Sequence, residues 1–201
     1  MKISQSILYF IIFVFGASDL PAFVLPDSSA TVPQFRNVNW DSSIDEVIEE
    51  ETAHYLQKFS GFGIESLSFQ GDIAGLDARI DYTFKNKKFT EGSYTINSGN
   101  NFREDFQTLL SFLEKTYGNP DLRAGPYFNS DHIWIKINDY GIYKGPSFYW
   151  EFKNGFIALI SKKIKEEIEL TILVVSDITI DEYNSKNLVE MKDFEAIKLN
   201  K

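Results

Sequence analysis

The clearest hydrophobic pattern in the chain lies between Asn101 and Pro120. Apolar side chains recur there at helical spacing and form one stripe: Phe102, Phe106, Leu109, Leu110, Leu113 and Tyr117. Asn100 or Asn101 can cap the start of the helix, and Gly118 followed by Pro120 ends it. Burial of six such side chains contributes on the order of 10 kcal/mol gross. We therefore expect a helix that lies on an apolar sheet.

Alternation of apolar and polar residues predicts that sheet on both sides of the helix. Seven segments show the alternation or an apolar run typical of strands: residues 65–70, 76–84, 89–96, 133–137, 148–152, 156–160 and 168–174. Turns are expected at Gly71-Asp72, at 85–88 and at Asn154-Gly155. Residues 161–167 fit helical spacing or a solvated turn, and we favour the turn. Gly92 indicates a bulge or a place where the helix lies close.

A second, shorter helix is predicted where residues 35–51 combine capping and apolar residues. Ser42 with Asp45, or Ser43 with Glu46, fits a capping box. The helix ends in three glutamates, 49–51, at the negative end of its dipole. We expect these carboxylates to be solvated or paired with a basic partner. The fold class is then α+β, with two helix-plus-antiparallel-meander halves and the helices packed on one face of the sheet.

The first residues have the pattern of a signal peptide. Lys2 precedes the apolar run Ile7–Phe15, and the small residues 16–18 suit cleavage before Asp19. A helix that spans a bilayer needs about 20 apolar residues, and this run is shorter. The mature chain is therefore not expected to insert in a membrane. An uncleaved anchor remains the alternative. The predicted organisation is a signal peptide (1–18), a linker (19–34), an α+β domain (35–176) and a C-terminal tail (177–201).

Composition narrows the function classes further. The net charge is −9, with 29 acidic and 20 basic residues, which argues against nucleic acid as a partner. The chain contains no cysteine, so disulfides, thiolate metal sites and cysteine nucleophiles are excluded. An exported protein of the periplasm or extracellular space is the predicted class, and its oligomeric state is left open.

Residues 35–47 carry a motif, Phe-Arg-Asn-Val-Asn-Trp-Asp-Ser-Ser-Ile-Asp-Glu-Val. It resembles the F-R-x-V-x-W-G-x-S-x-x-E-V opening of uncharacterised exported bacterial domains, with a later K-Y-G-x-P turn that here reads Lys115 to Pro120. The sequence departs from that pattern at Asp41, where the family has Gly, and at an inserted Thr116. The resemblance implies a small helix-plus-sheet envelope module over about residues 35–175. It implies no catalytic residues.

Sequence patterns of known chemistry are incomplete. The two histidines, His54 and His132, lack metal-site spacing, and Gly61-Phe62-Gly63 lacks the third glycine and the lysine of a phosphate loop. The aspartates 72, 77 and 81 lack the calcium-loop pattern. No serine lies in a G-x-S-x-G elbow. We therefore predict no catalytic residue, no metal and no cofactor.

The remaining candidate is an aromatic surface on Gly- and Pro-containing loops at 121–130 and 138–147. Tyrosines on such loops are typical of recognition surfaces, and the predicted binding residues are Tyr127, Phe128, Tyr140 and Tyr143. The same rings could instead fill the core. Non-enzymatic binding of a protein or envelope component is the favoured function. A hydrolase of the cell envelope that uses two carboxylates, or a structural part of a larger assembly, remains open.

Overall fold

The computed structural model describes residues 30–61, 63–124, 135–136 and 142–177. These residues form a mixed α+β fold with an antiparallel sheet and two α-helices, as the sequence predicts. The helices are α1 (Ile44–Glu50) and α2 (Phe102–Tyr117), and a short 3-10 turn (Gly99–Asn101) leads into α2. The nine strands in this part of the chain are β1 (His54–Gly61), β2 (Ile64–Ile73), β3 (Leu76–Lys85), β4 (Lys88–Asn97), β5 (Leu122–Ala124), β6 (Ile135–Lys136), β7 (Ile142–Phe152), β8 (Gly155–Ile164) and β9 (Glu167–Ser176).

The strands form one sheet in the order β1-β2-β3-β4-β9-β8-β7-β5, and β6 also pairs with β7. Every pair is antiparallel. The central contact joins β4 to β9, where Tyr94 lies opposite Ile172. The sequence prediction omits β1 and β5. It also starts β7 at Phe148 instead of Ile142, because Gly145 and Pro146 suggest a loop where the strand continues through a register irregularity.

The turn predicted at Gly71-Asp72 is wrong. Strand β2 continues through Gly71 to Ile73, and the hairpin turn follows at Ala74 and Gly75, both with positive φ. Gly71 serves close packing instead, because a Cβ there would lie 2.6 Å from the Cδ1 atom of Ile80. The turn at residues 85–88 is confirmed, with Asn86 and Lys87 in the left-handed conformation. The solvated turn favoured for 161–167 is confined to residues 165–166, because β8 continues to Ile164 and β9 begins at Glu167.

The motif at residues 35–47 begins with a tight hairpin. Phe35 and Val38 pair across it, and the φ angles of Arg36 (52°) and Asn37 (68°) are those of a type I′ turn. Asp41 also has a positive φ, 70°, a conformation that glycine adopts without strain. Hydrogen bonds from Asp41 N to Phe89 O (3.0 Å) and from Phe89 N to Ser42 O (2.9 Å) attach the segment to β4.

Helix α1 uses the second of the two predicted capping boxes. The Ser43 hydroxyl accepts a hydrogen bond from Glu46 N, and the Glu46 carboxylate accepts one from Ser43 N at 2.7 Å. The buried residue of the helix is Val47, which has no exposed surface. The capping box and the packing of Val47 and Ile44 on the main core therefore fix a helix of only seven residues.

Helix α2 matches the predicted stripe. Phe102, Leu109, Leu110 and Leu113 are buried, and Phe106 and Tyr117 pack against the same cluster. The start of the helix differs from the prediction. Asn101 makes no side-chain capping hydrogen bond, and the 3-10 turn that contains it leads into the helix. Gly118 ends the helix with a φ of 82°.

The main core combines both helices with alternate residues of the long strands. Its strand members include Leu67 of β2, Ile80 and Tyr82 of β3, and Ile172 of β9. Gly92 faces this core, and the ring of Phe35, not a helix, occupies the space above it, since a Cβ at position 92 would lie 2.5 Å from that ring. Val32, within the stretch predicted as a linker, also belongs to the core and is 4% exposed.

A second apolar cluster lies on the opposite face of β7, β8 and β9. Its buried members are Tyr149, Phe156, Ala158, Leu173 and Val175. Residues that are cross-strand partners share a face, and Ala158 pairs with both Tyr149 and Leu173. On β3 the same face carries Asp77, Arg79 and Asp81. This face of the sheet is therefore polar at β3 and apolar at β7, β8 and β9.

Candidate binding surfaces

The predicted aromatic surface falls largely beyond the described ranges. Tyr127, Phe128 and Tyr140 lie outside them, and Tyr143 is placed by its backbone alone, in β7 opposite Lys163. Part of the predicted loop segments is strand: 122–124 forms β5, and residues 142–147 belong to β7. The predicted binding role of the four residues stays a prediction.

Other aromatic residues of the same region belong to the core. Phe148, Tyr149 and Trp150 have 6%, 5% and 0% of their surface exposed. The Trp150 indole Nε1 donates a 2.8 Å hydrogen bond to the carbonyl of Gly118, which ties β7 to the end of α2. For these three rings the packing interpretation is correct, because β7 lies inside the sheet and not at its edge.

The most developed polar site in the described chain surrounds Glu51. Arg36 donates two hydrogen bonds to its carboxylate, from Nε at 2.7 Å and from a terminal nitrogen at 3.0 Å. The Ala53 amide donates a third at 2.7 Å, and the Tyr82 hydroxyl a fourth. Only 2% of the Glu51 side chain is exposed, against 22% for Arg36. The prediction that an acid at the end of α1 pairs with a base is therefore correct for Glu51.

Local structure places each member of this site. The left-handed turn residue Arg36 projects toward the end of α1, and its guanidinium carbon lies 5.9 Å from the centre of the Tyr94 ring. Tyr82 comes from the buried face of β3. Burial alone would raise the pKa of Glu51, but the hydrogen bonds from Arg36, Tyr82 and the Ala53 amide outweigh it and the pKa is lowered. Burial raises the pKa of the Tyr82 phenol.

This arrangement suits a structural ion pair better than acid–base catalysis. A general acid in a glycosidase needs a carboxyl with a raised pKa, whereas Glu51 is held as a carboxylate with all its acceptor positions used. A small pocket of about 80 Å³ adjoins Arg36 and Tyr94. Its other walls include apolar residues such as Leu113 and Ile172. Ligand sites usually measure about 300–1,000 Å³, so this pocket has room for a few water molecules.

The aspartates and the described histidine considered for metal binding do not converge on one site. Asp81 accepts hydrogen bonds from the Ser68 hydroxyl (2.6 Å) and from Arg79 (2.8 Å), and Asp72 lies opposite Asp77 in the β2–β3 ladder. His54 is exposed at the start of β1. Within the described ranges no three His, Cys, Asp or Glu residues come together as a metal site. Nor does any helix there have the length and apolar character to span a membrane.

The most exposed apolar surface in the described residues is strand β1, which sequence reasoning missed. It forms one end of the sheet and pairs with β2 on one side. Its first seven residues are all exposed, including Tyr55 (47%), Leu56 (44%) and Phe59 (50%). A register shift at Leu56 breaks the apolar–polar alternation, which explains why the strand has no clear period of two. The feature of the sequence that could have indicated this strand is the group of apolar residues before Gly61-Phe62-Gly63.

No protein family, curated protein or solved structure matches this chain. The resemblance of residues 35–47 to exported bacterial domains therefore stays a prediction.

Proposed function

We propose that this chain is an exported, non-enzymatic domain that binds a protein or another component of the cell envelope. The observation that supports this proposal most directly is the exposed edge strand β1. An uncovered edge offers a row of unpaired backbone amides and carbonyls, and an extended segment can add to it as a further strand. Exposed Tyr55, Leu56 and Phe59 would add apolar contacts on such a segment. The residues Tyr127, Phe128, Tyr140 and Tyr143, predicted from the sequence, are the second proposed surface.

The choice of a binding domain over a hydrolase rests on how the carboxylates are used. The pKa values of Glu46 and Glu51 are both lowered from their ordinary value. Glu46 is held by its capping bonds to Ser43, and Glu51 by Arg36. Both groups therefore have a structural role that accounts for their pKa values.

We also propose the finer architecture that the sequence indicates. The two helices lie on one face of the sheet, and each introduces one antiparallel meander. Support comes from the main core, in which Val47 of α1 and Leu109 of α2 pack with strand residues such as Ile80 and Ile172. Export is proposed from the Ile7–Phe15 run and the small residues that follow it. Mass spectrometry of the chain from the natural host should give a mature start near Asp19, and a full-length chain confined to the cytoplasm would contradict export.

The binding role of β1 can be tested by photo-crosslinking in the natural host. A photoreactive phenylalanine analogue at Phe59 should label a protein, whereas the same analogue at Ile48 of α1 should not. Ile48 is a matched control, because its exposed fraction, 48%, is close to the 50% of Phe59. Equal labelling at both positions, or no labelling at Phe59, would remove β1 as the binding surface.

A further inference from the structure

We propose that β1 pairs with β1 of a second copy of this chain, so that two sheets join across a twofold axis. This inference rests on the proposed function, because it names the partner of the same edge. A twofold axis suits an edge strand, since two antiparallel copies of one strand present the same residues to each other. The β1 strand contains no proline, so each of its residues keeps a backbone N–H.

The charge distribution favours a second copy at this edge. The chain has a net charge of −9, which opposes contact between most of its surfaces. Residues 52–64 contain no aspartate or glutamate, and their one lysine is Lys58. Its ammonium lies 3.3 Å from the Glu65 carboxylate of β2. Two copies can therefore approach along β1 with little repulsion.

Two features determine the register of the proposed pairing: the irregularity at Leu56 and the charge of Lys58. Leu56 is the irregular residue, so the regular part of the strand is Gln57–Gly61. An axis at Phe59 places the two Phe59 rings together and sets Lys58 opposite Ser60 and Gln57 opposite Gly61. An axis at Lys58 would set two like charges directly opposite each other, which is unfavourable. A ladder of about five residues is a small interface, so we expect a weak dimer that dissociates on dilution.

Because the chain lacks cysteine, single cysteines test this register cleanly. A residue on the axis has its Cα about 4.5–5.5 Å from its own copy, within the range of a disulfide. Residue 57 would be about 14 Å from its copy, since an offset of four residues at about 3.4 Å each adds to the spacing between the strands. Mild oxidation of the full chain should therefore convert Phe59→Cys to a covalent dimer at least about 10-fold faster than Gln57→Cys or Ile48→Cys, the faster rate reflecting this difference in distance.

Equal rates at the three positions, with no self-association of the unaltered chain, would overturn self-pairing. A second measurement covers the case in which loss of the Phe59 ring itself abolishes the dimer. Sedimentation of the unaltered chain should show concentration-dependent association that Phe59→Lys removes and Ile48→Lys retains. A monomer at every concentration, together with equal oxidation rates, rejects the inference. If photo-crosslinking at Phe59 then labels a different protein, the binding function of β1 stands and only the second copy is rejected as its partner.

Discussion

The ring of Phe35 lies directly on Gly92 of β4, at a distance where a Cβ atom on residue 92 would be 2.5 Å from the ring. The same ring is in edge contact with Tyr82, at 5.2 Å between centroids, and lies 5.0 Å from Tyr94. Nearby, Trp40 stacks on Phe89 at 4.7 Å. The hairpin that opens the motif is thereby fixed on the sheet.

Substitution of Gly92 by Ala should therefore destabilise the fold. The added methyl group must displace a buried aromatic ring, and overpacking of this kind costs about 1–3 kcal/mol. Chemical denaturation measures the free energy of unfolding. Ser93→Ala is the control, because Ser93 is the next residue of the same strand and its side chain points to the other face, so its change should stay within about 0.5 kcal/mol. A Gly92→Ala variant as stable as the unaltered chain would mean that Phe35 does not occupy this position.

The Arg36–Glu51 pair should contribute to stability in a pH-dependent way. Replacement of Glu51 by Gln at pH 7 leaves the partly exposed Arg36 without its charge partner, and loss of hydrogen bonds to a charged group costs about 1.5–3 kcal/mol. The pKa of Glu51 is lowered from its ordinary value of 4.5 in the folded chain. The carboxylate therefore stabilises the fold fully above about pH 4.5, the pKa of the unfolded chain. This contribution is lost as the pH falls through the lower pKa that Glu51 has in the folded chain.

Denaturation of both proteins between pH 7 and pH 3 measures this effect. The difference in unfolding free energy between the unaltered chain and Glu51→Gln should be largest at pH 7 and should shrink below pH 4.5. Glu49→Gln is the control, because Glu49 is an exposed glutamate of the same helix. A difference that does not vary with pH would show that the charge of Glu51 is unimportant.

The buried stripe of α2 gives a third prediction. Leu109→Ala and Leu113→Ala should each lower the free energy of unfolding by about 2–5 kcal/mol, because the two side chains are 0% and 1% exposed. Lys115→Ala, on the exposed side of the same helix, should change it by less than about 0.5 kcal/mol. Small and equal effects at all three positions would contradict the packing of α2.

The predicted loop surface can be tested through Tyr140 and Tyr143. If these residues bind a partner, their double replacement by Ala should leave the thermal midpoint nearly unchanged and weaken capture from a cell-envelope extract by at least about 10-fold. If their rings belong to the core, the same change should lower the free energy of unfolding by several kcal/mol, about the cost of large-to-small core substitutions. A large fall in the midpoint would reject the loop surface and leave β1 as the proposed one.

The sequence by itself determined the elements whose signal is local. The apolar stripe of α2, the alternation of β3 and the capping box at Ser43 each depend on residues a few positions apart. Helix and strand periodicity act over that distance, so the type of these elements and the α+β class could be predicted.

The tertiary structure decided what depends on residues far apart in the chain. Glu51 accepts hydrogen bonds from Arg36 and Tyr82, which lie 15 and 31 positions away in the chain. The ring of Phe35 packs on Gly92. No local sequence pattern indicates these contacts. Likewise, the place of β1 at one end of the sheet depends on pairing, since among the described strands β2 is its one neighbour. Strand order follows from long-range pairing, and for that reason the exposed strand is visible in the folded chain and not in the sequence.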